Sequence, residues 1–366
     1  MKFCSYLTAG FYFILFSNAT CNHAVGTNGR ICKGNYCLDI KNFADSLKNA
    51  LDGKVVKYAF VIRYQLAQES RAGGTLRENA TLPDSFTIYT RYNPASVTKT
   101  ITAVAVLQLL EKKHLGIQDK IWPYLPPSWN IPVSIKDITF RQILTHQGGI
   151  RYDVYPPDYM AVKTAIEKGI NPGDTLVGQY NNMNYAICRI LFDYLDGYDS
   201  NSYSDQAVGT SQYFISHLQK NIFDTLGFKN VQFKPDLSSQ LLLYPYPVNG
   251  NPGTDYGDWS LYPGSAGVHI STWELATFIY YLHYTTSLLS ENMKTQMFTG
   301  LLGWDVRTQV NGDEYIFKNG YFPTPPFSTA IVDFTNGLQV TIISNGNMNS
   351  VDAVNKAYTK SWVKSN

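Results

Sequence analysis

Charge is scarce in this sequence. Only 16% of its 366 residues are Asp, Glu, Lys or Arg, and 30 basic against 28 acidic side chains leave a formal charge of +2. Soluble proteins usually carry about 25% charged residues, and no basic stripe marks a nucleic-acid footprint, so a nucleic-acid partner is excluded. Histidine is scarce too. His23, His114, His146, His217, His269 and His283 stand far apart, with no H-E-x-x-H and no other metal-ligand spacing, so a zinc hydrolase has no support. Glycine loops that cradle phosphates are missing. Neither a metal nor an organic cofactor is therefore expected. There is no internal repeat and no low-complexity tract, and beyond the N-terminus no apolar run approaches the ~20 residues needed to cross a bilayer.

What the chain does have is aromatic and apolar bulk: 27 Tyr, 19 Phe and 44% hydrophobic residues. Burial of that surface offsets the entropy of ordering a chain, which excludes disorder. At roughly 100–200 residues per domain, the length suits two domains or one large one.

The N-terminus indicates where the protein works. Met1-Lys2 precedes an apolar run over 4–16, and Ser17-Asn18-Ala19 supplies small residues at the first and third positions of a cleavage site. Residues 1–19 read as a secretory signal, so the protein is expected to be exported, periplasmic or secreted, with an uncleaved anchor as the lesser alternative. After cleavage four cysteines remain: Cys21, Cys32, Cys37 and Cys188. An exported chain permits disulfides. Cys32 and Cys37 flank a Gly-containing turn, so a local bridge between them is the favoured pairing and four free thiols the alternative.

Periodicity then orders the chain. Apolar residues from Ile40 to Leu51 recur at helical spacing between Asp39 and Gly53, giving a capped amphipathic helix in an N-terminal segment over 20–54. A strand is expected over about 55–65. The stretch 98–110 is apolar nearly all round, the mark of a buried helix. Prolines at 123, 126, 127 and 132 break regular structure, and short helices are expected over 140–146 and 184–195. Ser271-Thr272-Trp273-Glu274 opens another helix with a capping-box pattern. The runs 303–309, 315–321, 328–333 and 338–344 alternate with turns as a meander of antiparallel strands, and a helix over 351–363 closes the chain. Strands at both ends with helices between suggest an α/β (α+β) fold. One antiparallel sheet is built from N- and C-terminal strands, flanked by helices, with a mostly helical insertion at about 115–270 inside a 55–366 domain.

Two candidate nucleophiles can be set aside. Pro263-Gly264-Ser265-Ala266-Gly267 lacks the first glycine of a nucleophile elbow. Ser361-Trp362-Val363-Lys364 has nothing downstream to complete a site. Ser96-Val97-Thr98-Lys99 opens the buried helix, where residues three apart share a face, so the Lys99 amine reaches the Ser96 hydroxyl. A lysine is a base only when neutral, and burial or a second cation favours that form. Tyr180-Asn181-Asn182 is the only Y-x-N among the tyrosines, and Lys318-Asn319-Gly320 the only K-x-G.

In that order the three motifs resemble the serine β-lactamase and penicillin-binding protein superfamily, in its branch of class C β-lactamases, D-alanyl-D-alanine carboxypeptidases and related esterases. The flanks Asn93-Pro94-Ala95, Leu144-Thr145-His146-Gln147-Gly148-Gly149 and Gly264-Ser265-Ala266-Gly267-Val268 are similar too. The resemblance implies a β-lactamase/transpeptidase-like fold and a double-displacement acyl transfer. Ser96 would attack a carbonyl, and Lys99 and Tyr180 would share its proton, either being the base, with Tyr180 lowered in pKa between two ammonium groups. Asn182 would orient Lys99 and bind the substrate amide. The N–H groups of Ser96 and Tyr321 would hold the oxyanion, and Gly320 would let substrate approach the strand. Lys318 would handle substrate charge. Asn319 stands where relatives usually carry Thr or Ser, which disfavours efficient β-lactamase action. The expected substrate is small or a peptidoglycan peptide: a D-peptide or an ester, with a class C-type β-lactamase or a non-hydrolytic penicillin-binding sensor as alternatives. Glu167 reads as a helix-surface charge, and Tyr244, Tyr246, Tyr256 and Tyr262 as loop packing rather than a cleft wall.

Overall fold

The computed structural model describes residues 29–365 apart from 79–83, 152–153, 155, 171–178 and 198–202. The signal segment 1–19 and Cys21 lie outside the described residues. Strands β1 (Arg30–Lys33) and β2 (Tyr36–Asp39) form a hairpin leading into α1 (Ile40–Leu51), followed by β3 (Lys57–Tyr64), β4 (Ala67–Gly73), β5 (Arg91–Tyr92) and α2 (Thr98–Lys112). Helices then take over: α3 (Val133–Lys136), α4 (Phe140–Leu144), α5 (Tyr159–Lys168), α6 (Met183–Ala186), α7 (Cys188–Asp196) and α8 (Gln206–Leu218). Strand β6 (Ile270–Ser271) opens α9 (Thr272–Tyr284), and α10 (Glu291–Gly300) leads to β7 (Val306–Val310), β8 (Asp313–Pro323), β9 (Pro326–Phe334) and β10 (Leu338–Asn345). Helix α11 (Ser350–Lys360) and β11 (Trp362–Lys364) end the chain.

The main sheet has the order β4-β3-β10-β9-β8-β7, antiparallel throughout, so the N-terminal β3 pairs with the C-terminal β10. The expected sheet of strands from both ends is present, with the helical region between them. Side-chain alternation sorts its two faces. Phe60, Ile62, Val332, Phe334, Val340 and Ile342 share one core with residues of α1 and α11. On the other face, Arg63 donates to Ala276 O, Gln339 to Ile279 O and Thr341 to Thr272 O, all carbonyls of α9.

Local chemistry sets the helix ends. Asp39 caps α1 by accepting from Lys41 N and Asn42 N, and Ile40, Phe43, Ala44, Leu47 and Leu51 form its buried stripe. The Ser271–Glu274 capping box of α9 is complete, and Glu274 also binds Arg91, tying β5 to α9. Helix α2 is buried nearly all round within the large helical core, as its uniform apolarity requires.

The closing helix is shorter than its periodicity suggests. It stops at Lys360, because Trp362-Val363-Lys364 pair as a strand with β2, and the Trp362 ring meets Tyr358 edge-on at 5.8 Å. Ser361 bonds back to Ala357 O, so the second Ser-x-x-Lys is not a site. Cys32 and Cys37 face each other in the β1–β2 register and form a disulfide, while Cys188 is free and buried.

One buried acid stands apart. Asp193 on α7 is fully buried, neither carboxylate oxygen has a hydrogen-bond partner among the described residues, and Arg189 one turn earlier donates instead to Ala186 O, Pro263 O and Pro157 O. Burial pushes the Asp193 pKa up to about 7. Its ordinary value is 3.8, so the folded state holds a proton that the unfolded state releases, and stability falls as pH rises from about 4 to 7. Asp193→Asn mimics the neutral acid. Its melting temperature should exceed that of the parent by on the order of 5 °C at pH 8, with the difference vanishing toward pH 4 in paired thermal melts.

Candidate active site

The nucleophile turn is built before α2 begins. After β5, Asn93 accepts from Ala95 N at 3.0 Å and from Gly267 N at 3.2 Å. Ala95 takes φ +52°, a left-handed conformation that a non-glycine residue adopts only under tertiary constraint. A 3₁₀ turn over Ala95–Val97 then presents Ser96 and runs into α2. Gly320 of β8 packs on this turn. A Cβ there would lie 2.1 Å from Pro94 O, 2.4 Å from Thr329 Oγ1 and 3.1 Å from Ser96 N. The expectation that Gly320 makes room for substrate is therefore corrected: it makes room for the turn that carries Ser96.

Lys99 is fully buried, with its amine 2.9 Å from Ser96 Oγ, 2.8 Å from Asn182 Oδ1 and 2.7 Å from Ser265 O. Burial, and secondarily the charge of Lys318, drives its pKa well below the usual lysine value. A neutral amine has two hydrogens and one lone pair. Asn182 Oδ1 and Ser265 O are pure acceptors and take both hydrogens, which aims the lone pair at Ser96 Oγ. Ser265, set aside as a nucleophile, thus serves through its carbonyl.

The Tyr180 hydroxyl lies 2.5 Å from Ser96 Oγ, and both lysine amines stand 4.9 Å from its ring centroid. The residue is 49% exposed, but its hydroxyl end is the part held against Ser96. Its pKa is raised, first by desolvation of the phenol and then by the negative charge of Asp305. The expected lowering between two ammonium groups does not occur. Lys99 is driven toward neutrality, and Lys318 is ion-paired with Asp305. The His146 ring packs at a tilt on Tyr180 with centroids 4.2 Å apart and bonds Asn181 O through Nδ1, and burial beside the lysines holds its pKa down at about 3, so it stays neutral.

Strand β8 supplies the opposite wall. Strand β7 pairs with it only as far as Phe317, so Asn319 and Tyr321 lie on an open edge. Asn319 N–H points outward to Asp305 Oδ2 at 2.9 Å, and alternation sends Tyr321 N–H out along the same edge. Alternation also puts Lys318 and Gly320 on the Ser96 face and the Asn319 side chain on the other. Ser96, Lys99, Tyr180, Asn182 and Lys318 are thus brought together, from α2, β8 and the segment leading into α6, whereas the Asn319 side chain, expected to bind substrate, lies on the other face of β8 and only its N–H serves this side. Asp305 was not foreseen; a lone acid after Leu302-Gly303-Trp304 carries no motif. Glu167 accepts from Asn130 N, away from the site. Tyr244, Tyr246, Tyr256 and Tyr262 bond Glu78 N, Gly53 O, Thr324 O and Asp258 O, which is loop packing.

A family model described as "Beta-lactamase" matches residues 50–361. The chain belongs to the Beta-lactamase family. Protein flp of Staphylococcus aureus (strain MRSA252) is 25% identical over 157 residues, 38% of this chain and 31% of that protein, so the match spans about a third of the relative's length. Among solved structures, a β-lactamase/D-alanine carboxypeptidase from Yersinia pestis superposes with a TM-score of 0.68 at 15% identity, covering 88% of this chain and 97% of that one. FmtA from S. aureus gives 0.68 at 17% identity, with 88% and 86% covered. D-amino acid amidase from Ochrobactrum anthropi SV3 gives 0.67 at 15% identity, with 87% and 99% covered. These structures share the fold, which has the antiparallel sheet and flanking helices of β-lactamase-like serine hydrolases.

Proposed function

We propose that this protein is an exported serine hydrolase that forms an acyl-enzyme on Ser96 and acts on D-peptides, amides or esters. The observation that carries this reading is the buried Lys99 amine, held by two acceptors with its lone pair directed at a hydroxyl 2.9 Å away. Ser96 Oγ attacks the substrate carbonyl as its proton passes to Lys99. The oxyanion is held by the N–H groups of Ser96 and Tyr321. Tyr180, protonated because its pKa is raised, gives its hydrogen to the leaving group as the tetrahedral species collapses, and is reprotonated from Lys99. Water then attacks the ester of Ser96 by the same route, and the acid product leaves with Ser96 restored.

Export is supported by the N-terminal apolar run and by the Cys32–Cys37 disulfide, which an oxidising compartment allows to persist. Among the described residues no helix is long and apolar enough to cross a membrane. D-configured substrates are supported by two of the structural relatives, the D-alanine carboxypeptidase and the D-amino acid amidase.

A fluorophosphonate probe and a chromogenic ester test the reading. The parent protein should label once per chain and turn over the ester, and Ser96→Ala should do neither. Equal labelling of Ser96→Ala would overturn the nucleophile assignment, and stable labelling without turnover of any ester or amide would point to a sensor.

A further inference from the structure

The third motif already holds an anion. Lys318 is almost fully buried and ion-paired with Asp305, whose second oxygen accepts from Asn319 N–H. An ammonium and an adjacent edge N–H are the two donors a strand of this kind can offer a substrate carboxylate. Here one carboxylate of the same chain takes both. Asp305 is held in place from its own backbone, since its N–H donates to Phe317 O at 2.9 Å, and its side chain is 17% exposed, so it borders the cleft.

We propose that Asp305 is a specificity-determining residue that fills the anion position of the Lys318-Asn319-Gly320 strand. The site therefore selects uncharged or ammonium-bearing esters and amides over substrates with a carboxylate beside the scissile bond. This rests on the acyl-enzyme reading and narrows it. The expectation that Lys318 meets substrate charge is revised accordingly. Lys318 and Asp305 together carry no net charge, and Lys99 is driven toward its neutral form. A second carboxylate placed near Lys318 would lie against Asp305 in a partly desolvated cleft, where like charges repel strongly. An ammonium group would meet the outer face of Asp305 instead.

The test is a matched pair of acetyl-D-alanine esters, one of 3-hydroxybenzoic acid and one of its methyl ester. They share acyl group and leaving-group geometry and differ in charge. The parent protein should give an anionic-to-neutral ratio of kcat/KM below 0.1, and Asp305→Asn, which vacates the negative charge but keeps the shape, should raise that ratio at least ten-fold. Asp305→Ser should move it the same way, which guards against one variant misfolding. A parent ratio near or above 1, or a ratio unchanged in both variants while Ser96 still labels with the fluorophosphonate, would overturn the proposal and leave the acyl-enzyme reading intact. A parent protein that neither labels nor cleaves the neutral ester would overturn both.

Discussion

Lys99→Met should lower kcat/KM on a neutral ester by about 10³- to 10⁴-fold, the upper range for loss of a general base, while leaving the circular dichroism spectrum of the fold unchanged. Methionine matches the length and apolar stem of lysine and removes only the amine. No other group among the described residues is placed to take over. Among the described residues, Tyr180 is the only other titratable group within hydrogen-bonding distance of Ser96 Oγ, and its raised pKa keeps it a phenol. His146 packs on the Tyr180 ring, and its Nδ1 is engaged by Asn181. Lys99→Arg should not rescue, because a guanidinium stays charged and has no lone pair to offer. The pH dependence has a definite sign. A base must be neutral, so the kcat/KM of the parent falls on the acid side as Lys99 gains its proton, and that limb lies well below the ordinary lysine range because burial and Lys318 depress the pKa. In Lys99→Met the residual rate should lose this limb. A residual rate that kept the limb, or an activity loss under ten-fold, would move the base assignment away from Lys99.

The sequence made the nucleophile and its base legible because both sit on one helix three residues apart, and a helix apolar on every side must be buried. It also made the sheet legible, since β8, β9 and β10 carry apolar and β-branched runs between turn residues. Strand β4 was not legible. It is a polar edge strand, AQESRAG, that pairs with β3 and meets solvent with charges; Arg71 bonds Glu69 and Asp45. Strand β11 was hidden because its pairing to β2 is a contact between chain ends, and helical spacing in 351–363 gave no hint of it. Asp305 was illegible for a different reason. Its role depends on where two donors of a strand thirteen residues later come to rest, and no local pattern encodes that. Tyr180 keeps its proton first because the phenol is desolvated and then because Asp305, which pairs with Lys318, lies nearby; neither the burial nor the partner is encoded in a local pattern.

Gly320→Ala should cut kcat/KM at least 100-fold and lower the melting temperature by several degrees, although the backbone at this position needs no glycine conformation. The cause is space. The added methyl carbon would lie 2.1 Å from Pro94 O and 2.4 Å from Thr329 Oγ1, well inside contact distance. Neither neighbour yields easily. Pro94 O accepts from Thr329 Oγ1 at 2.8 Å and from Val97 N at 3.3 Å, and the turn it belongs to is fixed by Ala95 at φ +52° and by Asn93. Overpacking of this kind typically costs 1–3 kcal/mol, about enough for the thermal shift. Relief requires β8 and the nucleophile turn to move apart, which separates Tyr321 N–H from Ser96 N–H and pulls Ser96 Oγ from its 2.5 Å and 2.9 Å contacts with Tyr180 and Lys99. A misplacement of about 1 Å is worth roughly 100-fold in rate. Adding Thr329→Ala removes one of the two obstructions and should recover part of the melting temperature but little of the activity, because the Pro94 carbonyl remains in the way. Full recovery of activity in the double variant would show that Thr329, and not the nucleophile turn, is what Gly320 accommodates.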